Sequence, residues 1–317
     1  MNRAILAFAL SAAGPLAAEP FLHWPVDCAV GKTCFVEDHV DRDPGTGARD
    51  FSCGLNTRDG HTGVDIAIPD FNALEAPGVA VVAAAAGSVT RTRDGMVDDW
   101  RMPGVTSQNA CGNAVIINHH DGWETWYCHL AQGSVAVQPG DLVQPGDPIG
   151  TIGLSGQTTH PHLHFRVRKD GQDIDPFDSD GTLECGGPTP SIWLETPVYH
   201  KTLLHFAGFS NSVPDYETFR AGRARIDVSA PDQPLVVYAE VGFAEHGDIV
   251  TITATGPRGE VFRHSRVMKS PRNSQLPAFG KRAPKGGWPP GEYLGQITLT
   301  RGDTLVANRW AHVTVRR

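Results

Sequence analysis

The sequence predicts a mostly β protein, with an antiparallel β-sheet domain followed by a C-terminal β-sandwich. Its 35 glycines and 24 prolines among 317 residues favour short strands joined by turns over long helices. Two β-rich runs, AVIIN at 114–118 and ETWYCHL at 124–130, enclose an Asp-Gly pair that is typical of a hairpin. Two Pro-Gly-Asp triplets, at 139–141 and 145–147, mark further tight turns around short strands.

The N-terminus has the pattern of a secretory signal peptide. Arg3 precedes an apolar run that begins with residues 4–10 and ends in small residues near Ala17 and Ala18. The run is too short to span a bilayer, so we predict cleavage after Ala18 and export to the periplasm or the cell exterior. No later segment is long and apolar enough to predict a membrane-spanning helix.

Changes in composition divide the chain into five segments. The last segment alternates apolar and polar residues between Gly- and Asp-containing turns, which predicts an immunoglobulin-like β-sandwich without a catalytic cluster. The predicted segments are the signal peptide at 1–18, a Cys-containing extension at 19–50, the β-sheet domain at 51–185, a proline-rich linker at 186–222 and the sandwich at 223–317.

Six cysteines, an even number in a chain predicted to be exported, indicate disulfide bonds. No Cys-x-x-Cys pair occurs, which argues against a structural zinc ribbon. Cys111 and Cys128 flank the predicted hairpin at similar distances from its turn, so we expect them to pair. The other pairs follow by elimination, as Cys28 with Cys34 and Cys53 with Cys185.

The charge of the chain limits the kinds of partner that it can bind. A formal net charge of −8 argues against a nucleic-acid-binding protein, which would carry a basic face. No polybasic run indicates binding to anionic lipid. The composition leaves the oligomeric state open.

Two clusters of histidine and aspartate form a candidate metal site. In the segment 162–164, the imidazoles of His162 and His164 project to the same face of a strand because side chains alternate across the pleat. Upstream, His61 and Asp65 are four residues apart and can turn toward one point. We predict that His61, Asp65 and His164 bind one zinc ion, because three protein ligands leave one position open for a reactive water.

Two histidines are the candidate catalytic residues. His162 lies on the same strand face as His164 without binding the metal, so its neutral imidazole can accept the proton of the water as a general base. His129 comes from a different strand, within Tyr-Cys-His-Leu at 127–130. It can donate a hydrogen bond to the oxyanion of the tetrahedral intermediate or protonate the leaving amine.

The order of these motifs resembles the lysostaphin/LytM-type zinc metallopeptidases, peptidase family M23. The motifs are His-x-x-x-Asp at 61–65, Gly-Asn-x-Val at 112–115, Tyr-x-His-Leu at 127–130, paired Gly-Asp turns, and Ser-Gly-x-x-x-x-Pro-His-Leu-His-Phe at 155–165. The resemblance extends over roughly 51–176. It implies the antiparallel LytM-type (duplicated hybrid motif-like) sheet, Zn²⁺ bound by His61, Asp65 and His164, and catalysis by His129 and His162.

The resemblance also implies endopeptidase activity on glycyl or D-alanyl bonds of peptidoglycan cross-links. The leading hypothesis is therefore an exported zinc metalloendopeptidase with a peptidoglycan peptide as its substrate. The alternative is a non-catalytic cell-wall-binding or hydrolase-regulating module with the same fold, although all five site positions are filled. A different peptide substrate, the role of the sandwich and a latent mature form stay open.

Seven further residues receive their own interpretation. His160 occupies the position before Pro-His-Leu-His where the family commonly has glycine, and we expect its imidazole to affect the fit of the substrate. His119 and His120 are expected to be solvated at a hairpin tip. Four tryptophans can line a sugar- or peptide-binding groove, although aromatic residues in strands usually pack in the core; they are Trp24, Trp100, Trp123 and Trp126.

Overall fold

The fold is mostly β, as the sequence predicts, in a computed structural model that describes residues 21–68, 74, 77–181, 189–272 and 274–317. The predicted signal peptide and Cys185 lie outside the described residues. Within the described part of the chain, no helix is long and apolar enough to cross a membrane.

The first half of the chain contains ten strands. They are β1 (Phe35–Asp38), β2 (Val64–Ala67), β3 (Ala80–Val82), β4 (Gly87–Arg93), β5 (Asn113–Asn118), β6 (Trp123–Leu130), β7 (Leu142–Val143), β8 (Pro148–Thr151), β9 (His162–Lys169) and β10 (Gln172–Ile174). Eight of them form the large antiparallel sheet, in the order β1-β2-β9-β6-β5-β4-β7 with β10 paired to β9. The remaining two, β3 and β8, pair with each other.

One face of the large sheet forms the core beneath the candidate site. Alternate residues of its central strands point to this side and are completely buried, which is the period expected of a strand with one covered face. They include Val64, Ile66, Val115, Ile117, Tyr127, Leu163, Phe165 and Val167. The residues between them on β2 and β9 therefore project to the opposite face, where the predicted metal ligands lie.

Part of the predicted N-terminal extension is integrated into this sheet. Strand β1 pairs with β2 and places Phe35 opposite Ala67. The predicted disulfides Cys28–Cys34 and Cys111–Cys128 are both confirmed. Cys53 is also disulfide-bonded, but its predicted partner lies outside the described residues, so that pairing stays a prediction.

The second half of the chain forms the predicted β-sandwich. Its elements are β11 (Leu203–Ser210), α1 (Tyr216–Arg220), β12 (Val228–Ser229), β13 (Leu235–Gly242), β14 (Ile249–Gly256), β15 (Gly259–Val267), β16 (Ala278–Lys281), β17 (Gly291–Arg301) and β18 (Thr304–Val315). The strands form two sheets, β11-β13-β16 and β12-β18-β17-β14-β15, in which only the short β12 pairs in parallel. Apolar side chains of both sheets share one core.

The sandwich begins earlier than the sequence predicts. Strand β11 and helix α1 lie within 186–222, the segment assigned to the linker, and β11 pairs with β13 along its whole length. The sandwich also contacts the large sheet directly, because Leu203 packs with Phe35 and Ala67 and the His205 ring stacks on Phe35 at 5.2 Å.

Candidate metal centre

The register of β2 against β9 brings the predicted metal ligands together. Asp65 lies directly opposite His164, and Ala67 lies opposite His162. Because Leu163 and Phe165 are completely buried, the two histidines that alternate with them project from the other face of the sheet. His61 reaches the same place from the loop that precedes β2. These pairings join residues that are about a hundred positions apart in the sequence.

The ligand atoms of His61, Asp65 and His164 converge on one point. Asp65 Oδ1 lies 2.7 Å from His164 Nδ1 and 3.1 Å from His61 Nε2, and the two nitrogens are 3.2 Å apart. Atoms bonded to one tetrahedral zinc at about 2.0–2.1 Å lie roughly 3.3 Å from one another. These are the only His, Cys, Asp or Glu side chains among the described residues that converge in this way, and the donor set fits zinc.

Hydrogen bonds outside this cluster fix the orientation of two ligands. His61 Nδ1–H donates to the His39 carbonyl at 2.7 Å, which leaves the lone pair of Nε2 directed at the cluster. Asp65 is buried, and its outer oxygen Oδ2 accepts a hydrogen bond of 2.7 Å from Arg58 Nη2. The other guanidinium nitrogen of Arg58 binds Asp38 Oδ2. Arg58 therefore leaves Oδ1 of Asp65 for a metal.

The charge of Asp65 is maintained despite its burial. Burial alone favours the neutral acid, but the adjacent His61, His162 and His164 hold the pKa of the Asp65 carboxyl well below its usual range. A carboxylate that stays ionised is the form that binds a cation.

Gly63 lets the His61–Asp65 loop approach β9 closely. A Cβ atom at this position would lie 2.7 Å from the imidazole of His164 and 2.8 Å from the Phe165 carbonyl oxygen. Because real Cβ atoms do not come so close to other atoms, a larger residue here would force the imidazole of His164 or the backbone at Phe165 to shift.

The predicted catalytic histidines lie beside the ligand cluster. Their ring centroids are 4.8 Å apart, and His129 is 5.9 Å from His164 by the same measure. Both rings donate through Nδ1–H to a backbone carbonyl, His129 to Ser155 at 2.7 Å and His162 to His160 at 2.8 Å. In the neutral rings Nε2 therefore carries the lone pair.

Nε2 of His162 faces the metal ligands directly. It lies 3.5 Å from Asp65 Oδ1 and makes no hydrogen bond with any of the described residues. A buried ring nitrogen without such a bond is available to a bound water or substrate.

The backbone of His129 has the left-handed conformation, with φ of 63°. Such a conformation costs about 1–3 kcal/mol for a residue with a side chain, so neighbouring contacts must hold it. The His129 N–H donates to the Cys111 carbonyl at 2.8 Å, next to the Cys111–Cys128 disulfide. Gly112 allows the Ser155 backbone to approach, because a Cβ there would lie 2.3 Å from the Ser155 oxygen.

The pKa values of the two catalytic candidates are shifted in opposite directions. Burial, followed by the charges of His162 and His164, holds the pKa of His129 well below its usual value. Burial also acts to lower the pKa of His162, but the Asp65 carboxylate opposes it and leaves this pKa raised. His129 is consequently a neutral ring whose Nε2 accepts protons, and it can donate from Nε2 only after it has taken one up.

A cleft of about 370 Å³ opens beside these histidines. Its described lining residues are Arg58, Ser107, Gln108, Ala110, Cys111, Trp126, Cys128, His129, Gln157, His164 and Arg166. Trp126 therefore lines the groove, whereas Trp123 is buried in the core. His160 is buried and is not among these described lining residues, so the effect of its imidazole on substrate fit stays a prediction; its carbonyl accepts a hydrogen bond from His162 Nδ1–H.

The expectation that His119 is solvated is wrong. Its ring is buried and hydrogen-bonded to the Ala86 carbonyl at 2.7 Å and to Thr125 Oγ1 at 2.8 Å, whereas His120 is exposed. Sequence analysis also missed Arg58 and the carbonyls of His39 and Ser155. The run Arg58-Asp59-Gly60 has the pattern of an ordinary surface turn, and backbone carbonyls give no sequence signal at all.

We expect Arg58→Gln to weaken zinc binding about 10- to 100-fold, because the outer oxygen of Asp65 loses the group that orients it. The substitution also removes the positive charge of Arg58, and the loss of its repulsion of the zinc ion would by itself strengthen binding. That effect is smaller here, since the Arg58 side chain is half exposed and its charge is already matched by Asp38. Competition with a chromophoric chelator measures the affinity. Arg101→Gln, which removes an exposed arginine that pairs with Asp99 instead of Asp65, is the control; equal affinities of the two variants would contradict the role of Arg58.

The fold and the site together define a β-sheet domain with the candidate centre of a metallopeptidase. Residues 59–176 match the profile of peptidase family M23, so the chain carries a domain of this family. This match lies within the segment 51–185 and includes all five predicted site residues.

Two named proteins are similar in sequence to part of this chain. The DD-carboxypeptidase/endopeptidase Mpg of Neisseria meningitidis is 37% identical over 133 residues, which are 42% of this chain and 24% of that protein. Lysostaphin of Staphylococcus simulans is 37% identical over 99 residues, 28% of this chain and 20% of that protein. The matched part thus spans about a quarter or less of these relatives.

Among solved structures, the catalytic domain of lysostaphin from Staphylococcus simulans is 27% identical to this chain. The comparison has a TM-score of 0.28 and covers 37% of this chain and 77% of that structure.

Proposed function

We propose that this chain is an exported zinc endopeptidase that hydrolyses peptide cross-links of bacterial peptidoglycan. The observation that supports it best is the convergence of three ligand atoms within 3.2 Å of one another beside an open cleft. The M23 domain supports a peptidase, and the names of the relatives, an endopeptidase and lysostaphin among them, support a cell-wall substrate.

Three of the five site residues would bind the metal, and the other two would transfer protons. His61, Asp65 and His164 would hold the ion. Zinc with three protein ligands supplies a Lewis acid that lowers the pKa of water and polarises a carbonyl oxygen. Next to it, the free Nε2 atoms of His129 and His162 are placed to accept a proton from the attacking water.

Hydrolysis then needs that proton returned to the leaving group. The hydroxyl of the water bonds to the carbonyl carbon, the C–N bond breaks, and the protonated imidazole donates to the amine nitrogen as it leaves. The predicted donor role of His129 fits this second half of the reaction, after proton transfer has charged one of the two rings. The products are a carboxylic acid and an amine, and transfer of the acid proton to the amine gives a carboxylate and an ammonium group.

Export of the chain is part of the proposal. The Cys28–Cys34 and Cys111–Cys128 disulfides support it, because disulfides persist in oxidising compartments such as the periplasm or the cell exterior. The sequence pattern of 1–18 supports it independently.

The proposal is tested by measuring metal content and wall digestion on the same preparation. Chain purified without chelator is expected to contain about one zinc per molecule and to cut cross-linked muropeptide dimers into products with a new amine, identified by mass. Chelation should abolish the cleavage and added zinc should restore it. Undiminished cleavage by metal-free protein would overturn the proposal, and wall binding without zinc or cleavage would support the non-catalytic alternative.

A further inference from the structure

We propose that Trp126 and the arginines around it form a subsite that binds a carboxylate of the substrate beside the metal centre. This inference rests on the proposed peptidase function and specifies its substrate class. The proposed substrate of the cleft is an anionic peptide that carries an acidic group about two residues from the bond that is cut.

The register of the sheet aligns this subsite with the metal ligands. Arg91 on β4 lies opposite Ile116, Ile116 lies opposite Trp126, and Trp126 lies opposite Arg166 on β9, so the four residues share one row across the sheet. Arg166 is two positions beyond His164 on the same strand and faces the same side. Two residues of a strand span about 7 Å, which is also the span of two residues of an extended peptide.

Three guanidinium groups surround the indole of Trp126. The Cζ atoms of Arg91 and Arg166 each lie 5.2 Å from the ring centroid, and that of Arg168 lies 5.4 Å from it. These distances are within the range of cation–π contacts. The indole N–H donates to Glu124 Oε2 at 3.3 Å, which fixes the plane of the ring.

The acidic groups nearby leave one of these cations unmatched. Arg166 forms a two-point ion pair with Asp173 at 2.5 and 2.7 Å. Arg168 lies 3.4 Å from the same Asp173 and 3.8 Å from Glu124. Arg91 is exposed and has no carboxylate within ion-pair distance among the described residues. Three arginines thus share two carboxylates, and Arg91 carries the excess positive charge.

The space around Trp126 is continuous with the candidate active site. A second cavity of about 410 Å³ adjoins the cleft and shares Gln108, Cys111 and Trp126 with it. The described lining of the two cavities includes the arginines Arg58, Arg91, Arg93 and Arg166 and contains no aspartate or glutamate. A negative group can therefore extend from the metal ligands to Arg91 without meeting a repelling charge from these walls.

This arrangement suits a peptide carboxylate in particular. The planar guanidinium group binds a carboxylate through two parallel hydrogen bonds, and the indole face covers the aliphatic atoms next to it. Arg58 is not counted in the subsite because Asp38 and Asp65 already bind its guanidinium group. A peptide made only of glycine would leave Arg91 without a partner.

The test compares one substrate in two charge states. Cross-linked muropeptide dimers are used as isolated and after carbodiimide coupling with ammonia, which converts their carboxylates to neutral amides. We expect the wild-type KM to be about tenfold lower for the acid form, with kcat changed less than about twofold, because a bond to a charged group that persists from ground state to transition state affects binding.

Variants test whether the preference for the acid form of the substrate depends on the arginines of the subsite. The acid-to-amide ratio of kcat/KM should fall to about one in the double variant Arg91→Gln/Arg166→Gln. Arg282→Gln, which removes an exposed arginine of the sandwich, should keep the wild-type ratio. Equal KM values for both forms with the wild type, or a preference that survives in the double variant, would overturn the subsite while leaving the peptidase function intact.

A binding measurement separates the subsite from the peptidase function. If neither form is cleaved, the proposed function fails, and calorimetric titration of both forms into metal-stripped protein then tests the subsite alone. Tighter binding of the acid form that is lost with Arg91→Gln supports it, and equal binding of the two forms overturns it.

Discussion

Replacing His129 or His162 with alanine is expected to leave zinc bound while turnover falls by about 10²- to 10⁴-fold, the usual contribution of a general acid or base. His129 lines the cleft, Nε2 of His162 lies 3.5 Å from Asp65 Oδ1, and neither ring is needed to complete the converging His61–Asp65–His164 cluster. The loss should appear in kcat, because these rings act on the reacting atoms rather than on distant parts of the substrate.

The metal ligands are expected to respond differently. His61→Ala and His164→Ala should lose zinc and activity together, since each removes one of three protein ligands and leaves the Asp65 carboxylate buried with fewer partners. Zinc content and kcat are measured on every variant. His120→Ala, which removes an exposed imidazole from the same large sheet region, controls for the loss of a histidine as such.

The result that would contradict this division of roles is specific. If His162→Ala released the metal, His162 would be a ligand, and its 3.5 Å distance from Asp65 Oδ1 would reflect a fourth position in the metal shell. If His129→Ala kept full turnover, proton transfer would have to pass through His162 alone. Because the two rings are adjacent, the double variant also shows whether they act in one step or in two.

The ligand cluster was predictable because its signals are local. His162 and His164 are two positions apart in a β-rich run, and His61 and Asp65 are four apart, so residue type and strand period already place each pair on one side. What the sequence could not give is the register that joins the pairs. Nothing local predicts that Asp65 lies opposite His164, or that Arg91, Trp126 and Arg166 share one row of the sheet.

The boundary of the sandwich was misplaced for a physical reason. Strand β11 has the sequence LLHFAGFS, and seven of its eight residues are buried, so it lacks the apolar–polar alternation of a strand with one exposed face. Its position between proline-rich stretches then favoured a linker. His205 in this strand is buried against Phe35, which an isolated histidine in the sequence does not reveal.

Asp175 provides the second large effect, on stability instead of turnover. It follows β10 and is 2% exposed; its Oδ1 accepts the Phe177 N–H at 2.9 Å, while Oδ2 has no hydrogen-bond partner among the described residues. Burial raises the pKa of this carboxyl from 3.8 to about 7, against the opposing effects of the Phe177 N–H and Arg42. The folded protein therefore holds a proton that the unfolded chain releases.

The sign of the pH dependence follows from that difference. Below the unfolded pKa of 3.8 both states are protonated, and this group costs nothing. Between that value and about 7 the unfolded chain ionises while the folded state does not, so the free energy of unfolding falls as the pH rises. A shift of about three pKa units corresponds to at most about 4 kcal/mol at pH 8.

Asp175→Asn is expected to remove this pH-dependent loss of stability. The side-chain carbonyl oxygen of the asparagine can still accept the hydrogen bond from the Phe177 N–H. Its gain in free energy of unfolding over the wild type should grow from pH 4 to pH 7 and stay constant above that. Denaturant titrations at several pH values measure it, with the exposed Asp303→Asn as the matched loss of one carboxylate. A gain that does not change with pH would show that Asp175 ionises in the fold as readily as in the unfolded chain, with the charge of Arg42, which pairs with Asp178 at 3.2 Å, offsetting its burial.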